Sequence, residues 1–102
     1  MGLRIRWALP AQEQFAEVLD YIGGFNPEAA RALRRKVDAG LNRLAEYPEL
    51  GRWVGEFGPG FYREILVKPL RLLYESHGEA LVVIYVHRQE DAIGPDTFEA
   101  GS

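Results

Sequence analysis

Three runs rich in β-branched and aromatic residues close this chain, Phe61 to Lys68, Leu70 to Ser76 and Ala80 to Val86. The connections between them are too short to hold a crossover helix, so neighbouring runs must pair antiparallel. His77-Gly78-Glu79 reads as the turn of a hairpin joining the last two. At the other end of the chain, Leu3, Ile5 and Trp7 fall on one face of an extended segment and Arg4 and Arg6 on the other, the pattern of a half-buried strand.

Between these strands the period changes to that of a helix. Pro10 suits a first helical turn, and Ala11, Phe15, Val18, Leu19 and Ile22 recur at helical spacing until Gly23-Gly24 ends the segment. Asn26-Pro27-Glu28 then supplies an N-cap, a proline at the first helical position and an acid in the first turn. The second helix carries an apolar stripe of Ala30, Leu33, Val37, Leu41 and Leu44, and Pro48 stops it. Arg31, Arg34, Arg35, Lys36 and Arg43 make its remaining faces basic. Glu49 to Gly60, with four glycines and a proline, reads as a loop. The predicted fold is α+β, in the order β-α-α-β-β-β, with a helical hairpin on one face of an antiparallel sheet and the first strand at its edge.

At 102 residues the chain is one domain with one modest core, which favours shallow surface chemistry over a deep enclosed pocket. The sequence predicts a folded domain over residues 1–88 and a flexible acidic tail over 89–102. Net charge is −3, and residues 88–102, with one arginine and four acids, hold all of it. The neutral remainder argues against a protein that wraps nucleic acid phosphates, since most of such affinity is electrostatic.

The absence of cysteine removes thiolate nucleophiles, disulfides and zinc ribbons, and fits a reducing compartment. A cytoplasmic location is expected, because the N-terminal segment alternates instead of forming an apolar signal core, and Ala80 to Val86 is too short to cross a bilayer. The glycines at 51–60 lack the Lys-Ser/Thr of a phosphate-binding loop, so no nucleotide is expected there. With two histidines, His77 and His87, and no carboxylates at ligand spacing, neither a metal nor a cofactor is predicted.

The last three strands carry the residues most able to do chemistry: Arg63, Glu64, Lys68, Arg71, Tyr74, His87 and Arg88. An arginine, tyrosine and histidine cluster can cleave RNA without a metal, by taking the 2′-hydroxyl proton, stabilising the charged phosphorane and protonating the leaving oxygen. Alternation sets a limit, because Arg63 and Glu64 face opposite sides while Glu64, Leu66 and Lys68 share one. Not all of these groups can line one site, and Arg63 and Arg71 are equally suited to surface ion pairs.

On these residues the chain resembles the RelE/ParE superfamily of toxins from bacterial type II toxin–antitoxin systems. The resemblance rests on Trp7-Ala8, Leu19-Asp20-Tyr21-Ile22, Asn26-Pro27-Glu28-Ala29-Ala30, Leu44 through Arg52, Tyr62-Arg63-Glu64, Arg71-Leu72-Leu73-Tyr74 and Val83 through His87. It implies a cognate antitoxin as partner, in a toxin–antitoxin complex of higher order. The RelE-like branch cuts mRNA on the ribosome, with Arg63, Arg71, Tyr74 and His87 at the matching catalytic positions; the ParE-like branch inhibits DNA gyrase and needs none. Arg88-Gln89-Glu90 stands where the nucleases keep an acid–base pair, which places the chain closer to the ParE branch. Arg31, Arg35, Arg63, Arg71, His87 and Arg88 are then the expected contacts to target or antitoxin. The alternatives are a ribosome-dependent mRNA interferase and a non-toxic interaction module that kept the fold.

Overall fold

A computed structural model of the chain describes residues 2–55, 60 and 62–89. The elements are β1 (Arg4–Trp7), α1 (Leu9–Gly23), α2 (Pro27–Glu46), a 3-10 turn (Pro48–Leu50), β2 (Arg52–Trp53), β3 (Arg63–Val67), β4 (Leu70–His77) and β5 (Ala80–Arg88). The acidic segment expected to be a flexible tail lies, Gln89 apart, outside the described residues. No helix among the described residues is long and apolar enough to cross a membrane.

The two helices begin where their punctuation places them. Pro10 sits in the first turn of α1. The Asn26 side chain accepts a 3.1 Å hydrogen bond from the Ala29 amide, which satisfies one of the orphan donors at the start of α2. Each helix turns its apolar stripe to one layer: Ala11 and Phe15 from α1, and Leu33, Val37, Leu41 and Leu44 from α2, join a core with Leu70, Leu72, Tyr74, Leu81, Val83 and Val86 of the sheet. The Trp7 and Phe15 rings stack 5.3 Å apart at the start of the hairpin. Each fully buried leucine in this layer contributes about 1.5–3 kcal/mol from surface removed from water.

The sheet has the order β1-β5-β4-β3-β2. Antiparallel pairing of β3, β4 and β5 holds as the short connections require, and the β4–β5 turn places Gly78 at φ 55°, where a side chain would be strained. Two features differ from the sequence reading. β1 occupies an edge, but it pairs with β5 in parallel, Arg4 opposite Ala80 through Trp7 opposite Val83, so the sheet is mixed. The chain between β1 and β5 contains both helices and three strands, so length places no bar on a parallel pair. The second difference is a fifth strand: inside the expected loop, Arg52 and Trp53 pair with Glu64 and Arg63.

The helices cover one face of the sheet. On the other face a smaller buried cluster forms from Val54, Leu73 and Tyr85, with Tyr62 and Ile84 against it. A register shift makes this possible: Leu73 opposes Tyr85 but Tyr74 opposes Val83, leaving Ile84 as the extra residue of a bulge. Leu81 and Val83 face the helices, and beyond the bulge Tyr85 points to the opposite side.

Candidate functional site

The register of β3, β4 and β5 divides the chemistry-bearing residues between the two faces. Arg63 opposes Tyr74, and Arg71 opposes His87. Directly opposed residues share a face, whereas Arg71 and Tyr74 stand three apart on β4 and therefore do not. Two pairs result, one on each side of the sheet.

On the helix-covered side, Arg63 and Tyr74 hold the turn that follows α2. The Tyr74 hydroxyl donates to the Pro48 carbonyl at 2.6 Å and accepts from the Gly51 amide at 2.9 Å. Arg63 Nη1 donates to the Gly51 carbonyl at 2.7 Å and to the Glu49 carbonyl at 3.3 Å, and its guanidinium lies 4.0 Å over the Trp53 ring. Gly51 is required by this close approach, since a Cβ there would overlap the Tyr74 ring and hydroxyl. Burial holds the Tyr74 phenol above its ordinary pKa; the Gly51 amide and the Arg63 charge oppose that shift, and Glu49 adds to it. A phenol kept protonated in this way, with donor and acceptor sides both engaged, is set for a structural role.

On the open face, Glu64 is the centre. Its side chain is 2% exposed, and Oε1 receives Arg71 Nε at 2.7 Å and Nη2 at 2.6 Å, while Oε2 receives Arg52 Nε at 2.6 Å. Both Arg71 nitrogens converge on one carboxylate oxygen, a charge-assisted contact that leaves Oε2 to Arg52. His87 stands across the strand from Arg71, and its ring stacks on Tyr85 with centroids 5.5 Å apart. This face thus carries a row of Arg52, Glu64, Arg71 and His87 in which Glu64 and Arg71 are buried and the acid separates the two guanidinium groups.

The other expected contacts lie elsewhere. Arg31 and Arg35 are exposed on α2, in the layer across the sheet from Arg71 and His87, and Arg31 pairs with Glu28 at 2.9 Å. Arg88 ends β5 beside a groove of about 540 Å³ between α1 and the sheet, whose walls include Val18, Tyr21, Ile22, Leu70 and Val86. Sequence reasoning included Glu64 and passed over Arg52, because a two-residue strand has no periodic signal and exists only through its pairing with Arg63 and Glu64. Among the described residues no group of three or more His, Cys, Asp or Glu is placed to hold a metal ion.

This helical hairpin on a five-stranded mixed sheet is similar in fold to a solved toxin–antitoxin protein. A chain of the "Chromosomal ParDE TA system from P. aeruginosa" superimposes with a TM-score of 0.70 over 86% of this chain and 97% of that one, at 16% identity, a likeness of fold. In sequence, "Toxin RelE2" of Caulobacter vibrioides is 33% identical over 81 residues, covering 79% of this chain and 88% of that protein. "Toxin ParE3" of the same organism is 32% identical over 59 residues, 58% of each chain. The family model described as "ParE toxin of type II toxin-antitoxin system, parDE" matches residues 5–93, and the chain belongs to that family.

Proposed function

We propose that this toxin inhibits DNA gyrase by docking, in the cytoplasm, without a catalytic step or a cofactor, and that a cognate antitoxin neutralises it. The observation that carries the reading is the division of the polar residues. Metal-free RNA cleavage needs a base, a phosphate clamp and an acid converging on one phosphodiester. Here Arg63 and Tyr74 lie on the opposite face from Arg71 and His87. Tyr74 is further engaged by Pro48 and Gly51, and Arg71 by Glu64. Docking has no such requirement for convergence. Surfaces that remain suited to it are the end of β5 with the half-buried His87 and the exposed Arg88, and the exposed basic side of α2 with Arg31 and Arg35, while Arg71 is buried against Glu64.

The second reading, a ribosome-dependent ribonuclease, draws on the Arg71–His87 pair, which brings a cation and a titratable ring onto one face, and on the likeness to a relative named RelE2. Supercoiling by purified gyrase distinguishes the two. The chain released from its antitoxin is expected to inhibit supercoiling and to trap cleaved DNA, and added antitoxin to restore activity. Gyrase indifferent to the free toxin would remove the proposal.

A further inference from the structure

Two apolar grooves lie between the helices and the sheet, and their rims carry opposite charge. The groove of about 540 Å³ beside the end of β5 has α1 as one wall, and α1 carries Glu13, Glu17 and Asp20 with no lysine or arginine. The other, of about 310 Å³, runs between α2 and β3 and is lined by Gly40, Leu44, Leu50, Ile65, Leu66 and Val67. Gly40 leaves it open, since a Cβ there would stand 3.2 Å from Ile65 Cδ1. Its rim is cationic: Arg43 lines it, Lys36 stands one turn before Gly40 on the same side of α2, and Lys68 follows β3 directly. All three are exposed, and none has a carboxylate partner among the described residues.

This second groove lacks a cover. Leu50 and Leu66 are 53% and 44% exposed, a large apolar surface for two leucines on one rim. β2 covers only Arg63 and Glu64, so the sheet order leaves Ile65 to Val67 with no strand on the outer side. An edge of this kind pairs with other chains unless something blocks it.

The sequence supplies a segment with the matching chemistry. Residues 90–102 hold four acids, Glu90, Asp91, Asp96 and Glu99, two large apolar side chains, Ile93 and Phe98, and no lysine or arginine. Their point of departure is fixed beside the groove: the Gln89 amide donates to the Pro69 carbonyl at 2.8 Å, and Pro69 follows Lys68. The 13 residues 90–102 can reach about 40 Å when extended, against about 17 Å for the five residues of β3. Charge decides between the two grooves. Along α1 the four acids would meet three more, whereas Lys36, Arg43 and Lys68 neutralise them. Tethering raises the local concentration to about millimolar, so even a contact too weak to hold two separate molecules is occupied.

We infer that residues 90–102 fold back over the groove between α2 and β3, with Ile93 and Phe98 among Leu44, Leu50 and Leu66 and the carboxylates toward Lys36, Arg43 and Lys68. The tail is then a cover built into the chain, which shields the exposed leucines and keeps copies from pairing along β3. The inference stands whichever target the toxin has.

The chain has no cysteine, so Ala100→Cys gives the full-length protein a single site for a spin label. Amide signals of Leu50, Leu66 and Val67 should lose most of their intensity, while those of Val18 and Ile22 in the α1 groove keep theirs. Ile93→Asp/Phe98→Asp and, separately, Lys36→Glu/Arg43→Glu should each abolish this selective loss, with circular dichroism confirming the fold. Adding Asp96→Lys/Glu99→Lys to the Lys36→Glu/Arg43→Glu chain should restore it, which loosened packing would not do. Salt at about 1 M, where the screening length falls to about 3 Å, should weaken the contact. Loss centred on Val18 and Ile22 would place the tail along α1 and overturn the inference. So would a weak, uniform loss, the mark of a solvated tail. Loss at Leu66 that appears only on mixing labelled chains with unlabelled ones would make the contact intermolecular and overturn it as well.

Discussion

Replacing Glu64 by leucine should be the most destabilising single change on the open face, because it strands a buried guanidinium. The Arg71 side chain is 11% exposed and the Arg52 side chain 69%, so the two halves of the network are unequal. Breaking a buried pair by removing one partner costs about 3–5 kcal/mol, since the remaining charge keeps its desolvation penalty. Arg71 retains other interactions, which places Glu64→Leu near the lower end, about 3 kcal/mol. The exposed Arg52 contact contributes about 1 kcal/mol or less once solvent screening is counted, and Arg52→Ala should cost no more than that. For a domain of this size a loss of about 3 kcal/mol lowers Tm by on the order of 12–24 °C. The double variant Glu64→Leu/Arg71→Met, which removes both charges and keeps the volume, should recover most of the loss. Thermal and urea unfolding followed by far-ultraviolet circular dichroism measures all three. Equal costs for Arg52→Ala and Glu64→Leu, or a double variant as unstable as the two single losses added, would refute the assignment of Glu64 as the anchor of Arg71.

Tyr74→Phe should cost about 1–3 kcal/mol by leaving the buried Gly51 amide unsatisfied, read as a lower urea midpoint. The raised pKa of Tyr74 means that its stabilising contribution is complete below about pH 10, the ordinary tyrosine value, and falls as pH climbs above it. Tyr74→Phe should therefore flatten the alkaline limb of the stability profile, and an unchanged limb would contradict the buried phenol. Gly51→Ala should destabilise by about 1–3 kcal/mol through overlap with the Tyr74 ring, and a neutral result would contradict the close approach.

Local signals carried the helices and the hairpin. Asn26-Pro27-Glu28 marks the start of α2 because cap, fixed φ and dipole agree at one place, and the short connections after β3 leave antiparallel pairing as the one geometry available. The parallel β1–β5 pair could not be read this way, since it depends on where the whole intervening chain returns. β2 was hidden for a related reason: two residues among glycines have no period of their own, and the strand exists only through Arg63 and Glu64.

The candidate site was legible in part. Alternation already separated Arg63 from Glu64, but the partner of each required the register, which places Tyr74 with Arg63 and His87 with Arg71. The bulge at Ile84 was the least accessible feature. Strict alternation from Leu81 and Val83 would send Tyr85 and His87 toward the helices, and the extra residue turns them to the open face.

The most direct test of the account is codon-resolved cleavage of mRNA in a purified translation system, run beside supercoiling by purified gyrase with the same preparation of free toxin. General acid–base groups typically contribute 10²- to 10⁴-fold to such a cleavage, so a chain acting by docking should leave ribosome-bound mRNA intact while supercoiling falls. Arg71→Ala, if it stays folded, should then abolish no chemical step and act through the stability of the buried pair with Glu64. Robust mRNA cleavage that disappears in Arg71→Ala, with supercoiling untouched, would contradict the account and make the open face a ribonuclease site.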